Sequence, residues 1–349
     1  MNENSLTEFR DLDIEPLIAD RPAEPRDTSR LLVVNRKTGE LLDRHFYDLP
    51  DLLPADTLMI LNNSRVWKAR LESKKIPGGG HCELLLTGQT ADDGTKWTAL
   101  CRKMRKGQKI ECTGGIKAEC LGMNENGAFI FEFESPLTYD YLQKYGEVPL
   151  PQYILNARKR RGVQAPPDEA KYQTIYADPT GSIAAPTAGF HFTENVFRKL
   201  ENKGIRKEFV TLHIGWGTFK PVRAENPADH VMMKESCVMP EELSRLISAH
   251  KSAGKPLAAV GTSSMRTMET FAGDDTHMGY GMKDASLFIY PGYHFKSATI
   301  FITNLHVPES APLYMTAAFA GRGLLFKAYK HAVEQKYRFY SYGDSMLIL

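Results

Sequence analysis

The sequence has little that marks a secreted, membrane or metal-binding protein. Its five cysteines, Cys82, Cys101, Cys112, Cys120 and Cys237, are odd in number and lack CxxC spacing. That argues for reduced core thiols and against a disulfide framework or a common zinc motif. The ten histidines are scattered without HxH or HExxH, so no metal is expected. No stretch approaches the roughly 18 uninterrupted apolar residues of a membrane helix, and the N-terminal region carries acids, prolines and arginines instead of an apolar run. The expectation is a cytoplasmic chain with no membrane partner. GxGxxG and Walker sequences are missing, which excludes a dinucleotide or ATP cradle of the usual kind. Excess charge is missing too. At a formal +2, a polyanionic partner would have to be met by local basic patches.

What is present is an ordinary globular composition, 42% hydrophobic and 25% charged. A chain of 349 residues is long for one core, and two domains are expected. Strands are expected at 31–34 and in "ADTLMILNN". From about 69 to 134 come short strands divided by Gly, Asp and Asn ("CELLLTG", "TKWTALCR", "QKIEC", "GIKAECLG", "GAFIFEFE"), the pattern of a small antiparallel barrel or sandwich. Beyond it, helix and strand alternate. Thr193 can cap a helix over 194–203 that Gly204 stops, with "RKEFVTLHIG" as the next strand; Pro240 opens "PEELSRLISAHKSAG", with "KPLAAVG" following. "SLFIY" and "ATIFIT" read as further strands, and "LYMTAAFA" and "LLFKAYKHAVEQKY" as helices. The expected architecture is a three-layer α/β domain, 1–68 plus 135–349, with an inserted small antiparallel β-barrel domain at 69–134.

In such sheets ligands collect beyond the carboxyl ends of the strands, where loops converge and helix N-termini point inward. Three strand ends are polar. "TLHIGWGTF" places Thr211 and His213 before Gly215 and Gly217. "AAVGTSSMRTME" puts Thr262, Ser263 and Ser264 where they could cap a helix carrying Arg266. "FITNLHVPES" offers Asn304 and His306. Together they would form one polar pocket, with His230 and Glu235 of "DHVMMKE" as a weaker acid/base pair.

Three other segments stand out. "YQTIYADPTGSIAAPTAGFHFT" interleaves small residues with aromatic ones and has little periodicity. "RKRRG" (Arg158, Lys159, Arg160, Arg161) and "CRKMRKGQK" (101–109) concentrate cations that solubility does not require. Phosphate backbones would explain them, as would charged surface turns.

These stretches, with "LNNSRVWKARL", "GEVPLPQYI", "FIYPGYHFK" and "YRFYSYGDSMLIL", resemble in order and across the whole chain the S-adenosylmethionine:tRNA ribosyltransferase-isomerase family of queuosine biosynthesis. The resemblance implies an α/β domain with an inserted barrel. It also implies transfer and isomerisation of the ribosyl moiety of S-adenosylmethionine onto 7-aminomethyl-7-deazaguanine at the tRNA wobble position. Epoxyqueuosine-tRNA is formed, and adenine and methionine are released. S-adenosylmethionine would be a consumed cosubstrate, no tightly bound cofactor is expected, and the chain would act as a monomer.

Residue by residue, the resemblance makes His213, His306, His191 and Glu235 the candidate proton-transfer groups. Tyr172, Tyr176, Phe190 and Phe192 become candidates for stacking on flat bases, with Gly181, Ala184, Ala185, Ala188 and Gly189 leaving room. Thr187, Gly189, Gly215, Gly217, Thr262, Ser264 and Asn304 complete the expected substrate site, and Arg266 would hold the methionyl carboxylate. Arg65, Arg70, Arg158, Lys159, Arg160 and Arg161 are expected to meet tRNA phosphates. The chain departs from the family pattern at Met233, where a second His is usual, and at Trp216, where a small residue is usual. The alternatives are a diverged enzyme acting on a free deazapurine or other nucleoside, or a tRNA-binding protein without turnover.

Overall fold

In the computed structural model the described residues are 6–163, 168–219, 221–224, 226–273 and 276–349. They divide into two compact units, Met1–Arg65 with Pro151–Leu349, and Val66–Leu150.

The larger unit is built on a nine-stranded mixed sheet. Its spatial order is Gly281–Ala285, Glu235–Met239, Arg206–Leu212, Leu58–Asn62, Leu257–Val260, Ile300–Asn304, Ser345–Ile348, Arg30–Val34, Leu41–His45. The four central strands from Arg206–Leu212 to Ile300–Asn304 are parallel to one another. Such strands, buried on both faces, read as continuous apolar runs rather than alternating ones. Leu58, Ile60, Val210, Leu212, Ala259 and Phe301 belong to one core, and Met59, Leu61, Ala258, Val260, Ile300 and Ile302 to the other. The first core is covered by residues of the helices Glu241–Ser252, Gly261–Phe271, Ala311–Ala320 and Arg322–Glu334. The second is covered by Glu194–Asn202 and the segment through Phe192.

The smaller unit is a closed antiparallel barrel of six strands, Arg70–Ile76, His81–Gln89, Lys96–Leu100, Lys109–Cys112, Lys117–Met123 and Phe129–Phe133. Its interior holds Leu71, Leu84, Leu86, Ile110, Phe131 and Phe133, with Cys82, Cys112 and Cys120 as small core residues. All five cysteines are free.

Local signals hold where local chemistry decides. Thr193 caps Glu194–Asn202, its Oγ1 accepting from the Val196 amide at 3.3 Å. Gly204 follows that helix at φ +75°, a conformation glycine adopts without steric cost. Two expectations need correction. The helix Gly261–Phe271 has no side-chain cap: it begins at Gly261 itself, and Ser264 Oγ donates back to the Val260 carbonyl at 2.7 Å. The "SLFIY" stretch is not a strand. The ladder partner of Glu235–Met239 is the preceding segment Gly281–Ala285, whereas Leu287, Phe288 and Tyr290 are apolar because they pack on the first core.

Candidate active site

Parallel strands place their carboxyl ends at one edge of the sheet, so Asn62, Leu212 and Asn304 lead into loops, and Val260 directly into the helix Gly261–Phe271, on the same side. The antiparallel strand Glu235–Met239 begins there, and Asn304 is opposite Ser345 in the ladder. The first of these ends is pinned by a buried amide. Asn62 Nδ2 donates to the Leu212 carbonyl and its Oδ1 accepts from the Leu212 amide, both at 3.0 Å, bridging two strands where they begin to part. The loop bearing Gly181 is fastened here. Ser182 Oγ donates to Ser64 Oγ at 2.7 Å and accepts from the Ile214 amide at 2.9 Å.

That clamp brings Gly181 under the ring of His213. A Cβ on Gly181 would lie 2.5 Å from His213 Nδ1, so the glycine is required by close approach. The His213 ring is half-buried and its Nδ1 is buried without a hydrogen-bond partner. Burial lowers its pKa from the ordinary histidine value, because desolvation disfavours the charged form. The ring is therefore neutral at pH 7, with an unused nitrogen at a strand end.

His191 is the opposite case. Its Nε2 accepts from Asn304 Nδ2 at 3.2 Å, which leaves Nδ1 as the protonated nitrogen, donating to Ser29 Oγ at 2.7 Å. Burial, reinforced by Arg338 and Arg26, lowers its pKa to about 3. Asn304 also donates to the Tyr340 carbonyl at 3.3 Å, and its Oδ1 accepts from Thr187 Oγ1 at 3.1 Å. The chain Ser29, His191, Asn304, Thr187 thus has fixed polarity and leaves the lone pairs of Thr187 Oγ1 as acceptors. His306 is intermediate. Its Nε2 meets Thr303 Oγ1 at 2.6 Å, its amide donates to Tyr329 Oη at 2.6 Å, and burial lowers its pKa to about 3.

Glu235 and Arg266 form a buried ion pair. Glu235 Oε1 also accepts from the Gly215 amide at 2.7 Å, so the pair sets the course of the glycine turn after His213. Burial lowers the Arg266 pKa to about 10, still far above neutrality. The guanidinium is committed to a protein carboxylate, while its Nε and the buried Ser263 Oγ have no hydrogen-bond partner. Gly217 lies against Met233, where an added Cβ would come within 3.0 Å of the thioether sulfur. Trp216 is buried. At the helix start, Gly261 has φ +83°, and a Cβ there would come 3.5 Å from Ala188. Thr262 is half-buried at the same end.

The aromatic residues divide between several neighbourhoods. Tyr172 is fully buried, edge-on to Phe190 and Tyr342 at 5.5 and 5.8 Å. Phe192 stacks on Phe197 at 4.9 Å and packs edge-on to Phe46 at 4.8 Å in the second core. Tyr176 lies between Phe197 and Phe209, its hydroxyl beside Gly189. These rings fill the fold around the site.

The arginines expected at phosphates are occupied. Arg158 is buried, making a bidentate pair with Asp168 at 2.5 and 2.8 Å and donating from Nε to the Asp20 carbonyl. Arg160 pairs with Glu15, and Arg161 with Asp20 at 2.9 Å. Arg65 donates to the carbonyls of Ala177 and Asp178. In the barrel unit, Arg70 donates to the Leu150 carbonyl at 3.0 Å and lies 3.6 Å from Glu83. Lys159 of that set is exposed with no such contact.

Sequence reasoning missed Ser29, Ser64, Ser182 and Thr303. The only signal was their place beside strand ends. Among the described residues no three His, Cys, Asp or Glu side chains come together as a metal set, and no helix is long and apolar enough to cross a membrane.

Comparison with known proteins gives a consistent result. Residues 11–348 match the family described as queuosine biosynthesis protein. A protein of Treponema denticola named S-adenosylmethionine:tRNA ribosyltransferase-isomerase is 41% identical over 344 residues, covering 96% of this chain and 97% of that protein. The crystal structure of S-adenosylmethionine tRNA ribosyltransferase from Thermotoga maritima matches with a TM-score of 0.52 and 30% identity, over 97% of this chain and 98% of that one.

Proposed function

The chain belongs to the queuosine biosynthesis protein family, and from that premise we propose how its strand-end loops carry out the reaction of an S-adenosylmethionine:tRNA ribosyltransferase-isomerase. The substrates are S-adenosylmethionine and a tRNA bearing 7-aminomethyl-7-deazaguanine at the wobble position. The ribosyl moiety moves to the aminomethyl nitrogen and is isomerised to an epoxycyclopentane, while adenine and methionine leave. The tRNA substrate sets the compartment, the cytoplasm.

The reaction needs a base for the carbon beside the sulfonium, whose positive charge acidifies its protons, and an acid for departing adenine. His213 fills both roles. The single observation behind this assignment is a half-buried ring at a strand end that burial keeps neutral, with Nδ1 packed against Gly181, so that Nε2 is the nitrogen that meets the substrate. It takes the proton from carbon, and the imidazolium so formed returns it to the adenine nitrogen as the glycosidic bond breaks. His191, with both nitrogens engaged, acts as a positioning residue. It orients Asn304, which holds the Thr187 hydroxyl so that its lone pairs accept from the incoming amine. A free alkylamine has a pKa of about 10 and is mostly protonated at pH 7, so the amine that attacks is the neutral fraction, which has lost its extra proton to solvent before it offers an N–H to Thr187. The Glu235–Arg266 pair shapes the Gly215–Gly217 turn against which the donor is bound.

The test is adenine release from S-adenosylmethionine, followed by chromatography. The acceptors are tRNA carrying 7-aminomethyl-7-deazaguanine, unmodified tRNA and the free base. Release with the modified tRNA alone, with a mass gain on that tRNA, is expected. Release with the free base would instead mean a diverged acceptor, and binding without release would overturn the catalytic reading.

A further inference from the structure

The run at 158–161 and the run at 101–109 raise the same question of what their charge is for, and only the first is answered by protein partners. In the barrel unit the segment between Lys96–Leu100 and Lys109–Cys112 carries Arg102, Lys103, Arg105 and Lys106, all exposed. Among the described residues none of these four side chains forms an ion pair or a side-chain hydrogen bond. Lys109 is near Glu119 at 3.9 Å, and the neighbouring Lys74 is opposite Glu111 in the ladder.

The loop is nevertheless held in one shape. Met104 is buried in the barrel core. The Gly107 amide donates to the Cys120 carbonyl at 2.8 Å, and the Gln108 amide donates to the Arg105 carbonyl at 3.0 Å. Gln108 Nε2 donates to the Ile76 carbonyl at 2.9 Å, and Lys75 Nζ donates to the Lys103 carbonyl at 2.7 Å. The last contact adds a fifth cation to the face. Four unpaired cations so close together repel one another, which costs stability unless an anion answers them. A surface spaced by a fixed backbone also pays less ordering entropy on binding than a floppy tail would.

We propose that this barrel loop is a docking surface for the phosphate backbone of the substrate tRNA, with Arg102, Lys103, Arg105 and Lys106 as its contacts. The proposal rests on the tRNA-modifying reading above. It gives the barrel a binding role of its own. Phosphate contacts fix register without reading sequence, and each releases counterions, so the signature is in the salt dependence.

The experiment compares the full-length protein with R102Q/K103Q/R105Q/K106Q. It measures affinity for the modified tRNA between 50 and 200 mM salt, adenine release at saturating tRNA, and the melting temperature. Loss of four phosphate contacts should make the log–log salt slope shallower by about 2.8 to 3.6, which is roughly 50- to 150-fold over that range. KM for tRNA should rise, with kcat unchanged and the melting temperature equal to or slightly above that of the wild type, since the repulsion between the four cations is removed. The smaller change R102Q/R105Q should give about half the slope effect. An unchanged slope in both variants overturns the proposal. So does an equal fall when four exposed lysines of the α/β unit, Lys199, Lys255, Lys327 and Lys330, are changed to Gln, since net charge alone would then explain it. A wild-type protein that binds tRNA with a steep slope but releases no adenine would sink the catalytic reading and leave the docking surface standing.

Discussion

The cations at 158–161 and those between 102 and 106 are alike in composition and opposite in use. In the first run three arginines stitch the helix Gln152–Arg161 to carboxylates and carbonyls at Glu15, Pro16, Asp20 and Asp168. In the second, none of the four meets an acid. Histidines divide in the same way: His191 has both ring nitrogens engaged, and His213 keeps Nδ1 free. A polar group already satisfied by the protein holds the fold. One left unsatisfied is, on the reading proposed above, available for a ligand.

The sharpest way to break this division is Arg158→Ala. It leaves Asp168 buried without its cation and should cost about 3–5 kcal/mol, read as a fall in the denaturation midpoint, with the salt slope of tRNA binding unchanged per folded molecule. A change in that slope instead would return Arg158 to the phosphate-binding set. His213→Gln should do the reverse. Turnover should drop about 100-fold or more at unaltered stability and near-constant KM. The wild-type rate profile should lose its acid limb at a pH below the ordinary histidine value, since burial lowers that pKa. An acid limb at 6.5 or above would count against His213 as the base.

His191→Gln should cost about 1–3 kcal/mol at neutral pH by leaving buried partners unmatched. The pH dependence has a definite sign. The folded-state value of about 3 is below the ordinary 6.5 or so, so the unfolded chain takes up the proton first. His191 therefore contributes stability that is present above pH 6.5 and lost as pH falls toward 3. Urea midpoints should decline less over that interval in the variant than in the wild type. The smallest effect belongs to Arg160→Gln. That exposed arginine pairs with the exposed Glu15, and its loss should cost about 0–1 kcal/mol.

How much of this could be read from sequence follows from the separation of partners. The barrel strands, the Thr193 cap and the Gly204 stop depend on neighbours within a few residues and were legible. So were the three polar strand ends, because a strand running into Asn, Gly or Ser is a local pattern. The strands Glu235–Met239 and Ser345–Ile348 went unnamed, and "SLFIY" was mistaken for one, because a ladder partner is a tertiary fact that apolar letters do not specify. The state of each histidine was equally hidden. Ser29 and Asn304 are 162 and 113 residues from His191. The carboxylates that neutralise Arg160 and Arg161 are 145 and 141 residues away. Thr262, Ser263 and Ser264 suggested a cap by composition, yet the backbone of Gly261 starts the helix unaided and Ser264 turns back on the preceding turn.

The place of Ser345–Ile348 in the sheet has a consequence during synthesis. This strand lies between Ile300–Asn304 and Arg30–Val34, pairing with both. The hairpin of Arg30–Val34 and Leu41–His45 is made early, but its neighbour emerges from the ribosome about three hundred residues later, roughly 15–60 s at ordinary elongation rates. Throughout that interval Leu31 to Val34 present an unpaired apolar edge. The barrel, whose strands pair within 66–150, can close meanwhile. Nascent chains should therefore carry a finished barrel while the sheet is still open, and ribosome-associated chaperones should dwell on the early hairpin until translation is nearly complete.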